Sequence, residues 1–164
     1  MEIKLKLYNP EALEQIARLF YDTVHAVNIR DYTEQQVNAW ATGNVNLKEW
    51  DKSLSEHLTY VALADKLIIG FGDIDSSGYL DRLYVHKDFQ GRGVATELCN
   101  RLESEIEADH IKVHASITAR PFFEKRCYQV IAAQEIERCG VRLKNYIMVK
   151  KMWQRSEPSI SWRI

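Results

Sequence analysis

Cysteine is scarce and poorly placed for cross-linking. The 164 residues hold three, Cys99, Cys127 and Cys139, with no Cys-x-x-Cys pair, so neither a zinc site nor a disulfide framework is expected. The five histidines (His25, His57, His86, His110 and His114) contain no His-x-x-x-His pair, and no metal site is expected from them. No apolar run approaches the roughly 18–20 residues that span a bilayer. The opening Met1-Glu2-Ile3-Lys4-Leu5-Lys6 alternates charged and apolar residues, the pattern of a strand and not of a secretory leader. Free thiols without an export signal predict a cytoplasmic protein. Net charge is lacking too: 22 basic against 23 acidic side chains leave −1, with no general pull on nucleic acid or anionic membrane. Proline occurs three times, and no Pro/Gly/Ser-rich linker marks an internal boundary. One domain is expected over residues 1–151, with a tail at 152–164.

What is present is a clear alternation of periods. After the first strand, Asn9-Pro10 gives a helix cap and a proline at the first helical position. Leu13, Ile16, Ala17, Phe20 and Val24 follow at helical spacing. Thr33 to Gln36 resembles a capping box, starting a short helix with Val37 and Trp40. Asn44 to Asn46 breaks the pattern, and Leu47 to Leu58 holds a third helical piece. The period then becomes two: Thr59–Ala64 and Leu67–Ile74 form a hairpin turning at Asp65-Lys66, and Tyr79–His86 is the next strand. A glycine-containing turn precedes a helix with the apolar stripe Leu98, Leu102 and Ile106. A strand at Ile111–Ser116, a short helix at Arg120–Lys125 and a closing pair at Tyr128–Glu137 and Val141–Lys151 complete the order. This is an α+β domain, one mixed sheet carrying helices.

The chemistry lies between Leu83 and Thr96. There a strand enters a loop, Gln90-Gly91-Arg92-Gly93, and a helix starts directly behind it. The first turn of a helix leaves N–H groups without intrahelical partners, and glycines let an anion approach them. That is a phosphate cradle, to which Arg92 adds charge. A P-loop would need Lys-Ser/Thr after Gly93, where Val94-Ala95 stand. A dinucleotide fingerprint would need glycine where Thr96 stands. Gln90, Gly93 and Ala95 instead satisfy Gln-x-x-Gly-x-Ala.

That stretch resembles the coenzyme A signature of the GNAT superfamily of N-acetyltransferases. Ala115 to Tyr128, with Ala119, Phe122 and Lys125 in place, is similar to the family's second cofactor segment, Asn-x-x-Ala-x-x-Phe-Tyr-x-Lys-x-Gly-Phe. The element order agrees from Ile3 to Lys151. Taken singly these features are ordinary: a strand-to-helix turn, a core Phe122-Phe123 pair, a solvated Lys125 and Arg126. The resemblance rests on their joint occurrence.

It implies a mostly antiparallel sheet with helices on both faces, and a V-shaped splay between the parallel strands Tyr79–His86 and Ile111–Ser116. Acetyl-CoA would lie there as cosubstrate. The backbone of Leu83, Tyr84 and Val85 would pair with its arm. Gln90, Gly91, Arg92, Gly93, Val94, Ala95 and Thr96 would hold its diphosphate. Ser116, at the family's usual Asn position, and Phe122 and Phe123 would line the arm, with Lys125 or Arg126 near the adenosine. A backbone N–H of Tyr84 or Val85 would polarise the thioester. Phe123 stands where the family often has a tyrosine acid, so Tyr84 and Tyr128 are the substitutes. Tyr79 stands at the family's usual carboxylate, so Asp81, two residues on and on the same face, is the candidate base or amine anchor. Pairing of Asp81 with Arg82 is not expected, because strand neighbours face opposite ways. His25, Tyr32, Trp40 and Tyr146 are candidate walls for a small-molecule or peptide amine acceptor. Dimers are frequent in the family, so a homodimer is allowed. The alternative is a non-catalytic acyl-CoA binding module on the same scaffold.

Overall fold

The computed structural model describes residues 1–152; the tail expected at 152–164 lies outside the described residues but for Met152. Strand β1 (Lys4–Leu7) leads through a 3-10 turn at Pro10–Ala12 into helix α1 (Leu13–Ala26). Asn9 caps that turn by accepting from the Glu11 N–H at 2.8 Å. Helix α2 (Glu34–Trp40) starts at a complete capping box: Thr33 Oγ accepts from Gln36 N–H, and the Gln36 side chain accepts from Thr33 N–H. Helix α3 (Leu47–Glu56) is capped by Asn46. Strands β2 (Leu58–Ala64), β3 (Leu67–Ile74) and β4 (Tyr79–Val85) then run as a meander. Helix α4 (Val94–Glu105), strand β5 (His110–Ser116), helix α5 (Arg120–Lys125) and the hairpin β6 (Gln129–Arg138) and β7 (Val141–Lys151) follow. The sheet order is β1-β2-β3-β4-β5-β7-β6, and β4–β5 is its parallel pair.

Each sheet face has its own core. One, under α4 and α5, packs Ile69, Leu80, Leu98, Leu102, Val113, Phe123 and Met148. The other, under α1, α2 and α3, packs Ile16, Phe20, Val37, Leu54, Val61, Phe71 and Leu143. Glycines in β3 allow close packing on the first face: a Cβ on Gly70 would stand 2.8 Å from Val94. Ile106, expected on the helix stripe, is extended and ends the helix, although it still packs on that core.

One irregularity shapes the middle of the sheet. Asp73 of β3 pairs with Arg82 of β4, but the next residue, Ile74, pairs with Leu80, leaving Asp81 as an extra residue. Such a bulge bends its strand and interrupts the alternation of faces. Beyond it β4 leaves β5: their register covers Tyr79↔Lys112 and Leu80↔Val113. The splay opens at the bulge.

Candidate active site

A cleft of about 440 Å³ fills the splay, lined by Leu83, Val85 and Val94 to Thr96 on one side and Val113 to Ser116, Phe122 and Phe123 on the other. A second cavity of about 150 Å³ lies beyond it on the α2 face. Trp40, Asp81, Tyr84, His114 and Ser116 line both.

The peptide groups facing the cleft follow from sheet geometry. His86 N–H donates to Ile69 carbonyl at 2.8 Å, and Tyr84 stands opposite Phe71 two residues away in the same register. In an antiparallel pair alternate residues bond to the partner strand. Tyr84 therefore directs its amide to β3, while the N–H groups of Leu83 and Val85 face the open edge. Of the two amides expected to polarise a carbonyl, the Tyr84 amide belongs to the sheet and the Val85 amide faces the cleft. The Val85 carbonyl on that edge is already engaged, accepting from Thr23 Oγ at 2.9 Å and Gln90 Nε2 at 2.7 Å. Gln90 thus fastens the turn with its side chain.

The turn beyond is built to be open. Gly91 (φ +71°) and Gly93 (φ +82°) take left-handed conformations, and a Cβ on either would meet nothing within 4 Å. Gly93 is the cap residue of α4 and offers no side-chain acceptor. The first intrahelical bond runs from Glu97 N–H to Gly93 carbonyl at 3.0 Å. The N–H groups of Val94, Ala95 and Thr96 are left for a ligand, at the electropositive helix end. A linked diphosphate fits this cradle. Arg92 leans over the Phe89 ring, 5.1 Å from its centroid.

Asp81 is the one acidic side chain lining either cavity among the described residues. Its surroundings correct the expectation about Arg82, whose Nη1 lies 3.7 Å from Asp81 Oδ2. The bulge is the reason, since it brings two successive side chains to one face. Arg82 also binds Asp73 Oδ2 at 2.6 Å and Ser53 Oγ at 3.0 Å, and stacks 4.8 Å from the Trp50 centroid. Asp73 is fully buried and accepts from His57 Nδ1 at 2.7 Å. Burial raises the Asp73 carboxyl, while His57 and Arg82 pull it back down. His57, Asp73 and Asp81 would suit a cation, and the Arg82 guanidinium already provides positive charge among them.

Tyr84 accepts from Trp40 Nε1 at 3.2 Å, which leaves its own O–H proton uncommitted among the described residues. Desolvation pushes that hydroxyl far above the ordinary tyrosine range, so it stays protonated. Tyr32 locks the wall, donating to Lys144 carbonyl at 2.6 Å and accepting from Ile117 N–H at 2.9 Å. Ser116 Oγ accepts from Ala119 N–H at 3.0 Å. Phe123 is buried and stacks edge-on against Tyr128.

Four residues expected at the site line neither cavity: Arg92, which leans on Phe89, and Arg126, His25 and Tyr146. Arg126 holds Glu103 at 2.8 Å, with Lys150 on the other carboxylate oxygen at 2.6 Å. His25 contacts Ala41 carbonyl at 2.8 Å through Nε2. Tyr146 packs on the α5 side, with Arg120 4.4 Å from its ring centroid. His114 was missed by sequence reasoning. It lies two residues before Ser116, so strand alternation alone puts both on one face. Burial and Lys112 hold its pKa below the ordinary value, keeping the ring neutral.

Residues 28–150 match the family model described as acetyltransferase (GNAT) domain. The chain is similar to the uncharacterized N-acetyltransferase YafP of Escherichia coli (strain K12), 32% identical over 150 residues, covering 89% of this chain and 94% of that protein. It is similar to the structure of a GCN5-related N-acetyltransferase from Rhodopseudomonas palustris, with a TM-score of 0.89 and 31% identity, covering 93% of this chain and 97% of that one. The PaiA N-acetyltransferase of Thermoplasma acidophilum, solved in complex with coenzyme A, shares the fold at a TM-score of 0.73 and 18% identity, covering 93% of this chain and 100% of that one.

Proposed function

The chain belongs to the GNAT family of N-acetyltransferases, and we propose that it moves the acetyl group of acetyl-CoA to an amine of a small molecule or peptide in the splay between β4 and β5. The carrying observation is the continuity of that splay: it opens at the Asp81 bulge, runs along free strand amides and ends on the uncapped turn of α4.

Each chemical need has a candidate group. The N–H groups of Val94, Ala95 and Thr96, with the open Gly91 and Gly93, hold the diphosphate. The amides of Leu83 and Val85 face the arm and thioester, and one of them polarises the carbonyl. Asp81 accepts the ammonium proton, freeing the nitrogen lone pair; His114, neutral and lining the same junction, is the second candidate base. The nitrogen attacks the thioester carbon, the C–S bond breaks, Tyr84 O–H protonates the departing thiolate, and the second nitrogen proton passes to the tyrosinate so formed, leaving a neutral amide and restoring Tyr84. Trp40 Nε1 orients the Tyr84 oxygen and stabilises the tyrosinate that forms. PaiA, with coenzyme A bound, supports the choice of cosubstrate by fold.

The test follows free thiol released from acetyl-CoA across an amine panel. Release with at least one amine is expected. Tight acetyl-CoA binding with no release for any amine would make the protein an acyl-CoA binding module instead.

A further inference from the structure

The smaller cavity presents opposite charges that do not meet. Asp81 and Arg138 both line it, yet they form no ion pair with one another. The Asp81 contact is Arg82, which is held more closely by Asp73. Arg138 ends β6, and strand alternation puts it on the same face as Ile136 and Gln134. It takes part in no ion pair among the described residues. Lys144 contributes its backbone to this cavity, where its carbonyl binds Tyr32, while its ammonium lies 5.5 Å from the Tyr146 ring centroid on the other face.

The remaining polar atoms inside are also unpartnered. Asn145 is 8% exposed, and its Oδ1 is buried without a hydrogen bond. His114 Nε2 is likewise buried and unpaired, and Gln134 Nε2 stands 3.4 Å from its Nδ1. The Tyr32 hydroxyl, by contrast, both donates and accepts, and the Tyr84 oxygen accepts from Trp40. An apolar amine would leave a buried amide oxygen and a buried imidazole nitrogen without partners, which is unfavourable, and would leave the exposed Arg138 guanidinium at the cavity rim to water.

We propose that the acceptor is a zwitterion, a small primary amine bearing a carboxylate or another acidic oxygen group. Its amine sits at Asp81, where the two cavities join, and its acid group sits on the Arg138 guanidinium, whose planar fork suits two anionic oxygens. Asn145 and His114 serve the polar atoms between. This rests on the acetyl-transfer reading of the same site and specifies its substrate class.

The experiment compares amino acids with their own amides, which keep size and lose the acid: β-alanine against β-alaninamide, and phenylalanine against phenylalaninamide. Thiol release from acetyl-CoA and calorimetric binding to coenzyme A-saturated protein are both measured. In at least one pair the acid should be preferred at least tenfold in kcat/KM and in Kd. Arg138→Gln should remove most of that ratio, and Arg138→Lys should retain part of it. Acid and amide handled alike in both pairs, binding of none of the four, or a ratio untouched by Arg138→Gln would overturn the proposal. Preferential binding without thiol release would instead refute acetyl transfer and leave the zwitterion site standing. Thiol release without preference would do the reverse.

Discussion

Substituting Gly93 separates the electrostatic contribution of the α4 cradle from its shape. Its φ of +82° is left-handed, and the direction a Cβ would take is empty. Gly93→Asn and Gly93→Asp therefore meet the same backbone penalty, about 1–2 kcal/mol at most. Both should lower Tm by a few degrees, at ~2–4 °C per kcal/mol for a chain of this length. The two side chains are nearly isosteric and differ in charge. At about 5 Å from a diphosphate and an effective dielectric constant of ~20, a carboxylate is repelled by about 3 kcal/mol per unit charge before salt screening. At ~0.15 M salt, where the Debye length is about 8 Å, roughly 2 kcal/mol should survive. That corresponds to an acetyl-CoA affinity about 30-fold weaker for Asp than for Asn. Calorimetric titration of both variants, with circular dichroism to establish folding, reads this difference directly, and raising the salt should narrow it. Equal affinities in two folded variants would mean that no diphosphate sits on this helix end.

Asp81→Asn should lower kcat about 10²–10⁴-fold with acetyl-CoA affinity little changed, as for loss of a positioned base; wild-type turnover would transfer the role to His114. Tyr32→Phe strands the Ile117 N–H and the Lys144 carbonyl, and should destabilise by about 1–3 kcal/mol in urea unfolding; an unchanged midpoint would show that the tie contributes nothing. The bond to Asp73 raises the His57 pKa above 6.5. Its stabilisation is therefore complete below that value and disappears as pH rises through the folded pKa. The stability gap between the native chain and His57→Gln should thus be larger near about pH 6 than near about pH 9, and a gap that widens upward would refute the pairing.

Local chemistry carried most of the fold. The Asp65-Lys66 turn, the Thr33–Gln36 box and the alternation in β2 and β3 depend on near neighbours, so each was legible and each is present. Ile106 was misplaced because apolar spacing continues past the last hydrogen-bonded turn of α4. The Asp81 bulge is a matter of register against β3, and nothing in Tyr79–Val85 alone announces it. That is why Arg82 was expected on the face away from Asp81. Arg126 was drawn aside by Glu103, 23 residues earlier, a partner that only tertiary packing supplies. The open turn at Gly91 and Gly93 was readable because Gln90, Ala95 and the segment from Ala115 to Tyr128 accompany it; a glycine turn before a helix is by itself ordinary.

The splay leaves main chain in the middle of the sheet without a neighbouring strand. A free strand edge is a template for any extended peptide, a second chain included. Here it is recessed between α1 and α4, and Thr23 and Gln90 already cover one carbonyl, so intruders are hindered but not barred. A cosubstrate arm bound there would complete the missing ladder and add stability in proportion to the logarithm of its concentration. Starved of it, the protein should become more prone to mispairing and precipitation, so that its solubility on storage tracks coenzyme supply.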